Sequence, residues 1–174
     1  MSAASEIGRY LSDTIVSIYL VLVVLRGLLQ AAKADFYNPI SQFIVRATNP
    51  PLIVLRKVIP AGRRFDFSAV VLALLVQIIG LIAVIMLSGF LPPNPLTVSL
   101  WAVLGVVGLV VNVYLFAMIA MIVVSWVAPG SRHPAVTLVY QITEPVMGPV
   151  RALLPSMGGL DFSPIVIFIL INVI

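Results

Sequence analysis

PISQFIVRATNPPLIVLRKVIPAGRRFDFS, residues 39–68, and PAVTLVYQITEPVMGPVRALLPSMGGLDFS, residues 134–163, are two versions of one pattern. Pro39, Thr48, Pro50, Arg56, Pro60 and Asp66-Phe67-Ser68 reappear as Pro134, Thr143, Pro145, Arg151, Pro155 and Asp161-Phe162-Ser163. Every pair is 95 residues apart, with no gap, giving 8 identities in 30 aligned positions. Chance similarity between apolar segments would mostly match Leu with Val. Here the matches fall on prolines, charges and hydroxyls, the residues that set shape, so an internal repeat is the better explanation.

Outside the motif the chain is apolar. Of 174 residues 61% are hydrophobic and 9% charged, against about 25% charged in a soluble domain. No soluble fold of this size has interior enough to hide that surface, so the solvent is lipid. Four apolar stretches stand out: residues 11–29, 70–91, 96–127, and 165 to the end. A spanning helix needs about 20 residues, so the first three qualify. The third is overlong and implies tilt, with Trp101 and Trp126 near its ends as interfacial anchors. The fourth is too short to cross, and the chain looks cut inside its last helix. Residues 11–29 followed by Ala32-Lys33-Ala34 also have the outline of a cleavable signal peptide. Arg26 interrupts that run, however, and Arg9 is offset by Glu6, so the helix is expected to stay.

The charge pattern assigns the sides. Lys33, Arg46, Arg56, Lys57, Arg63 and Arg64 follow the first apolar stretch, Arg132 and Arg151 follow the third, and Arg26 can snorkel to the same face. Only Arg9 lies elsewhere, and the turn Pro92-Pro93-Asn94-Pro95 carries no charge. Both motif loops are therefore expected in the cytoplasm, with the termini outward. The net charge of +4 is accounted for by this asymmetry, and no nucleic acid is expected as a partner. The expected fold is an all-α membrane protein of two parallel helix–amphipathic loop–helix repeats with four transmembrane helices, residues 1–91 forming the first unit and 92–174 the second.

The loops themselves read as amphipathic helices. Asn38 is a good N-cap and Pro39 a good first helical residue. Ile40, Phe43, Ile44 and Ala47 then form one apolar face, with Ser41, Gln42 and Arg46 on the other. Ala135, Leu138, Val139 and Ile142 take the same positions after Pro134. Pro50 and Pro145 are expected to interrupt these helices, because proline has no N–H to give to the ladder. A second short helix should follow each, facing inward through Leu52, Leu55 and Ile59 or through Met147, Val150 and Leu154, and ending at Pro60 or Pro155. Ser163-Pro164 then reads as cap and first residue of the last helix, with Ser68 as the counterpart cap.

The repeated charges, Arg56 with Asp66 and Arg151 with Asp161, have two readings. Each Arg ties its loop to the start of the next helix, where Asp also suits the helix dipole; or the two motifs meet and form one polar site. Gln77 and Asn112 are polar groups within spans, either bonded between helices or lining an ion path. Tyr114 shares that setting, while Gly105 and Gly108 allow close packing without making a GxxxG pair.

An enzyme is not expected: there is no nucleophile with a base, no phosphate loop and no carboxylate pair in a cleft. The absence of cysteine and the single His133 argue against any catalytic, cofactor or metal site, haem included. Two classes of function remain. One is a scaffold or assembly factor whose loops recruit other membrane proteins, with the bilayer, such proteins and a second copy of the chain as partners. The other is a small potassium channel or transporter subunit with a polar path past Gln77 and Asn112.

The chain resembles the YggT (YlmG-like) family of integral membrane proteins. The resemblance rests on Ala34-Asp35-Phe36-Tyr37-Asn38-Pro39-Ile40-Ser41-Gln42, on Thr48, Pro50, Arg56 and Pro60, and on Ser125-Trp126, Thr143-Glu144-Pro145, Arg151, Pro155, Gly158-Gly159, Asp161 and Ser163-Pro164. It implies a four-helix, multi-pass protein of the bacterial inner (plasma) membrane with no established enzymatic activity. It also implies links to osmotic-stress resistance and potassium homeostasis, to cell division or nucleoid distribution and, in plastid relatives, to cytochrome b6 maturation. Arg63-Arg64 stands where the second motif has Gly158-Gly159, and the last helix is shorter than the family's full span.

Overall fold

A computed structural model of the chain describes residues 3–59, 62, 65–128, 130–153 and 163–173. The described residues form six helices: α1 (Ala3–Ala31), α2 (Pro39–Leu55), α3 (Phe67–Leu87), α4 (Pro95–Val127), α5 (Pro134–Leu153) and α6 (Ser163–Val173). Three of them, over Ser5–Ala31, Phe67–Leu87 and Pro95–Val124, are long and apolar enough to cross a membrane. The protein is thus an all-α membrane protein. Pro60, Arg63, Arg64, Leu154, Pro155, Gly158, Gly159, Asp161 and Phe162 lie outside the described residues, as do the side chains of Trp126 and Pro164.

Two compact units divide the chain, one of Met1–Gly27 with Ile44–Leu109, the other of Leu28–Phe43 with Val110–Ile174. In the first unit the helices meet through small residues. The buried positions of α3 are Ser68, Ala69, Leu72, Ala73 and Gly80, while Val70, Leu75, Ile79 and Met86 point outward. Lipid tails are as apolar as leucine, so burying large side chains gains little there and close backbone approach gains more. Gly80 marks the tightest approach, since a Cβ on it would stand 2.5 Å from Val16 Cγ1. The second unit has a sulphur-rich core of Met118, Met121, Met147 and Ile167, flanked by Val139 and Val150.

The helix ends follow local rules. Asn38 caps α2 by accepting from the Ile40 amide at 2.9 Å, as its sequence position predicts. Asn94 does the same for α4, accepting from the Thr97 amide at 2.9 Å. Alpha-helix α3 departs from expectation: its cap is Asp66, which accepts from the Ala69 amide at 3.2 Å. Ser68 is already inside the helix, and its hydroxyl donates to the Ile59 carbonyl at 2.7 Å. The carboxylate takes the cap because it answers both the free amides and the positive end of the dipole.

The prolines do not break the motif helices. Helix α2 runs 17 residues through Pro50 and Pro51, and α5 runs 20 residues through Pro145 and Pro149. Each proline withholds one donor, but ending a helix releases four carbonyls, and beside a membrane few of those find water. Pro50, Pro145 and Pro149 also lie on exposed faces, where the orphaned carbonyl of the preceding turn is reachable.

The buried face of α2 is rotated from the expected one. Asn38, Ser41, Ile44, Thr48 and Leu52 are buried, and Phe43 is exposed. A pattern read for water puts Phe43 inside; in lipid the ring can face out while hydroxyls and amides seek the protein. In α5 the expected face holds, with Leu138 and Ile142 buried.

Gly80→Ala should lower thermal stability in detergent by about 1–3 kcal/mol, the cost of overpacking against a stiff valine. Gly108→Ala, with nothing within 4 Å of the added methyl, is the neutral control.

Candidate functional site

The motif residues fall into two clusters, one in each unit. In the first unit the side chains of Arg56 and Asp66 form an ion pair through Nη2 and Oδ2. The Asp66 side chain is fully buried, and that of Arg56 is 29% exposed. One carboxylate oxygen therefore holds the end of the α2 segment while the other caps α3, and Ser68 adds its bond to Ile59 between the same two segments. The tie between loop and next helix, one of the two readings of the repeated charges, is present here.

Arg26, which the charge pattern placed at the loop face, completes this corner. It is buried, 7% exposed, and donates from Nη1 to Asn49 Oδ1 at 3.3 Å. It also lies within electrostatic reach of Arg56 and Asp66.

The second unit carries the other motif. The Thr143 hydroxyl is buried, donates to the Val139 carbonyl at 2.8 Å and sits 2.8 Å from Met121 Sδ. Thr48 is equally buried and donates to the Ile44 carbonyl at 2.7 Å, the same bond 95 positions earlier. Such back-bonding lets a buried hydroxyl be satisfied inside its own helix. Arg151 pairs with Glu144 at 3.1 Å, and both side chains are about half exposed. Asp161, the expected partner, lies outside the described residues. Ser163, the first residue of α6, is buried.

Residues of the two sequence motifs also touch one another inside this unit. Asn38 Nδ2 donates to the Pro134 carbonyl at 2.9 Å, and the Asp35 amide donates to Gln141 Oε1 at 3.0 Å. Asp35 Oδ1 accepts from the Tyr37 amide at 2.8 Å, fixing the turn that leads into Pro39. His133 stands 95 positions after Asn38 and does the same capping job, its Nδ1 accepting from the Ala135 amide at 3.2 Å. Neither link was legible, because turn residues at long sequence separation carry no periodic signal.

The span residues behave differently from one another. Gln77 packs its amide over Gly105, where a Cβ would meet Nε2 at 2.6 Å. Asn112, near the middle of α4, is exposed.

The model of the CCB3/YggT family matches residues 6–87 and 100–174. A Pseudomonas aeruginosa protein, PA0392, is 45% identical over 166 residues, covering 95% of this chain and 84% of that protein. Escherichia coli K12 YggT is 36% identical over 165 residues, 95% of this chain and 85% of that protein. A Vibrio alginolyticus protein from the proC 3′ region is 34% identical over 164 residues, 92% and 86% of the two chains. No solved structure matches.

Asn38 has two jobs and Asn38→Asp separates them. The carboxylate still caps α2, while the donor to Pro134 is lost. Asn38→Asp should cost about 1 kcal/mol, one buried hydrogen bond, and Asn38→Ala about 1 kcal/mol more for the lost cap. Thermal unfolding of the purified variants, in that order of stability, is the check.

Proposed function

This chain belongs to the CCB3/YggT family, and on that footing we propose a non-enzymatic scaffold or assembly factor of the bacterial inner membrane. Its motif loops face the cytoplasm and its termini face outward. There the loops recruit or stabilise other membrane proteins, and the links to osmotic-stress resistance and cell division run through those partners.

One observation carries this reading. Among the described residues, six of the eight buried polar or charged ones, Ser41, Thr48, Asp66, Ser68, Thr143 and Ser163, lie in the motif segments; Asn38 caps the first segment, and Arg26 lies in α1. The polar groups with shape-setting bonds thus fix the loops, while Gln77 in the span is engaged in packing. In the first unit the end of α2 and the turn after it present Ile53, Val54 and Val58 outward, an apolar surface for lipid or a membrane partner. The reading as a non-enzyme draws support from His133, the single histidine, whose Nδ1 is taken up by the α5 cap.

The test is affinity purification of the full-length protein from its own membranes in mild detergent. A stoichiometric membrane-protein partner, lost when Ile53 and Val54 are both changed to Ala, is the expected result. A protein that purifies alone with and without prior cross-linking contradicts it.

Asn112 favours a second reading. An exposed amide near the middle of an apolar helix is costly in lipid and suits a polar path or a contact with another copy. As a channel or transporter subunit the chain would act as an oligomer. Potassium flux into liposomes, abolished by Asn112→Leu, is its signature; flux equal to that of empty liposomes removes it.

A further inference from the structure

We infer that the corner of Arg26, Asn49 and Arg56 binds a phosphate group. The charge inventory comes first. From Phe36 to Thr143 the chain has one acidic residue, Asp66. The other carboxylates of the first unit, Glu6 and Asp13, lie at the opposite end of α1, thirteen or more residues from Arg26. Two guanidinium groups therefore share this corner with a single carboxylate. Both oxygens of that carboxylate are engaged, one by Arg56 and one by the Ala69 amide.

A buried excess of positive charge costs several kcal/mol unless an anion neutralises it. Arg56 is where such an anion would be met: its side chain is 29% exposed, while its partner Asp66 is fully buried. The partial exposure of the Arg56 side chain leaves the corner open on one side. Arginine forks match the oxygens of phosphate. Basic pockets at the cytoplasmic ends of membrane helices are where phosphate headgroups are met. The shared chemistry is a phosphate oxyanion, supplied by an anionic phospholipid or by free phosphate.

The second motif supplies the contrast. At the positions 95 residues after Arg26, Asn49 and Arg56 stand Met121, Glu144 and Arg151. There a methionine replaces one guanidinium and a built-in carboxylate answers the other. That corner needs no external anion, and its residues show which substitutions such a motif accepts.

The experiment uses the full-length protein in neutral detergent and follows the unfolding temperature against added ligand. Phosphatidylglycerol, inorganic phosphate and phosphatidylcholine are titrated separately. Phosphatidylglycerol should raise the unfolding temperature saturably, and phosphatidylcholine should not. Arg26→Met should weaken half-saturation about fivefold, the equivalent of ~1 kcal/mol, because one positive charge beside the anion is lost. Asn49→Glu should raise the ligand-free unfolding temperature and remove the response, because it installs the anion that the second motif carries. Arg151→Gln should leave the response unchanged. An equal saturable response to inorganic phosphate identifies free phosphate as the source. Equal responses to phosphatidylglycerol and phosphatidylcholine without one to phosphate, or an unaltered response in Asn49→Glu, overturn the assignment. Asn49→Glu keeps the test decisive if Arg26→Met is lost to misfolding.

Discussion

The first unit depends on the side chain of Asp66. It is the one carboxylate in more than a hundred residues of sequence, it is fully buried, and it makes two bonds at once. One holds Arg56 at the end of the α2 segment and the other caps the first turn of α3. Neither partner would be stable here without it. A guanidinium at the edge of lipid needs a counter-charge, and the first amides of an apolar helix have no water to turn to. The hydroxyl of Ser68, bonded to the Ile59 carbonyl, closes the same junction a second time. A membrane helix of 21 residues is thereby capped by one side-chain bond and anchored to the segment before it by two more.

Much of this was legible in the sequence, because prolines, charges and hydroxyls recurring at one spacing are rare in apolar chains. Pro39, Thr48, Arg56, Asp66 and Ser68, singled out by that spacing, are where α2 starts, where its buried hydroxyl sits and where the bonds between the α2 segment and α3 fall. Their local consequences were less legible. Pro50 and Pro145 read as breaks under rules for water, where a broken helix is rescued by solvent; the continuous α2 and α5 reflect a solvent that offers no rescue. The same inversion put Phe43 outside and Ser41 inside. Arg26 could be placed at the loop face, but its partner Asn49, 23 residues on, could not be read from spacing. The Asn38 bond to Pro134 had no signal at all, being a contact between turns 96 residues apart.

Positions 95 residues apart share their backbone chemistry and differ in charge. Thr48 and Thr143 make the same bond, and Asn38 and His133 make the same cap. Yet Arg26 stands against Met121, and Asn49 against Glu144. The first motif holds its partly exposed Arg56 against a fully buried Asp66, while Arg151 pairs with Glu144 at the surface. Buried ion pairs fix geometry and exposed ones contribute little. Shape is therefore what the two motifs have in common, and charge is where they can specialise.

The most direct test of this account is a double-mutant cycle on Arg56→Gln and Asp66→Asn, read by equilibrium unfolding in detergent. Asp66 as the junction predicts that each single variant is strongly destabilised, by about 3 kcal/mol or more. The double variant should then be more stable than the sum of the two losses, with a coupling of about 1–3 kcal/mol. Losses that simply add would mean that the pair is incidental, and that the start of α3 is held by something other than this carboxylate.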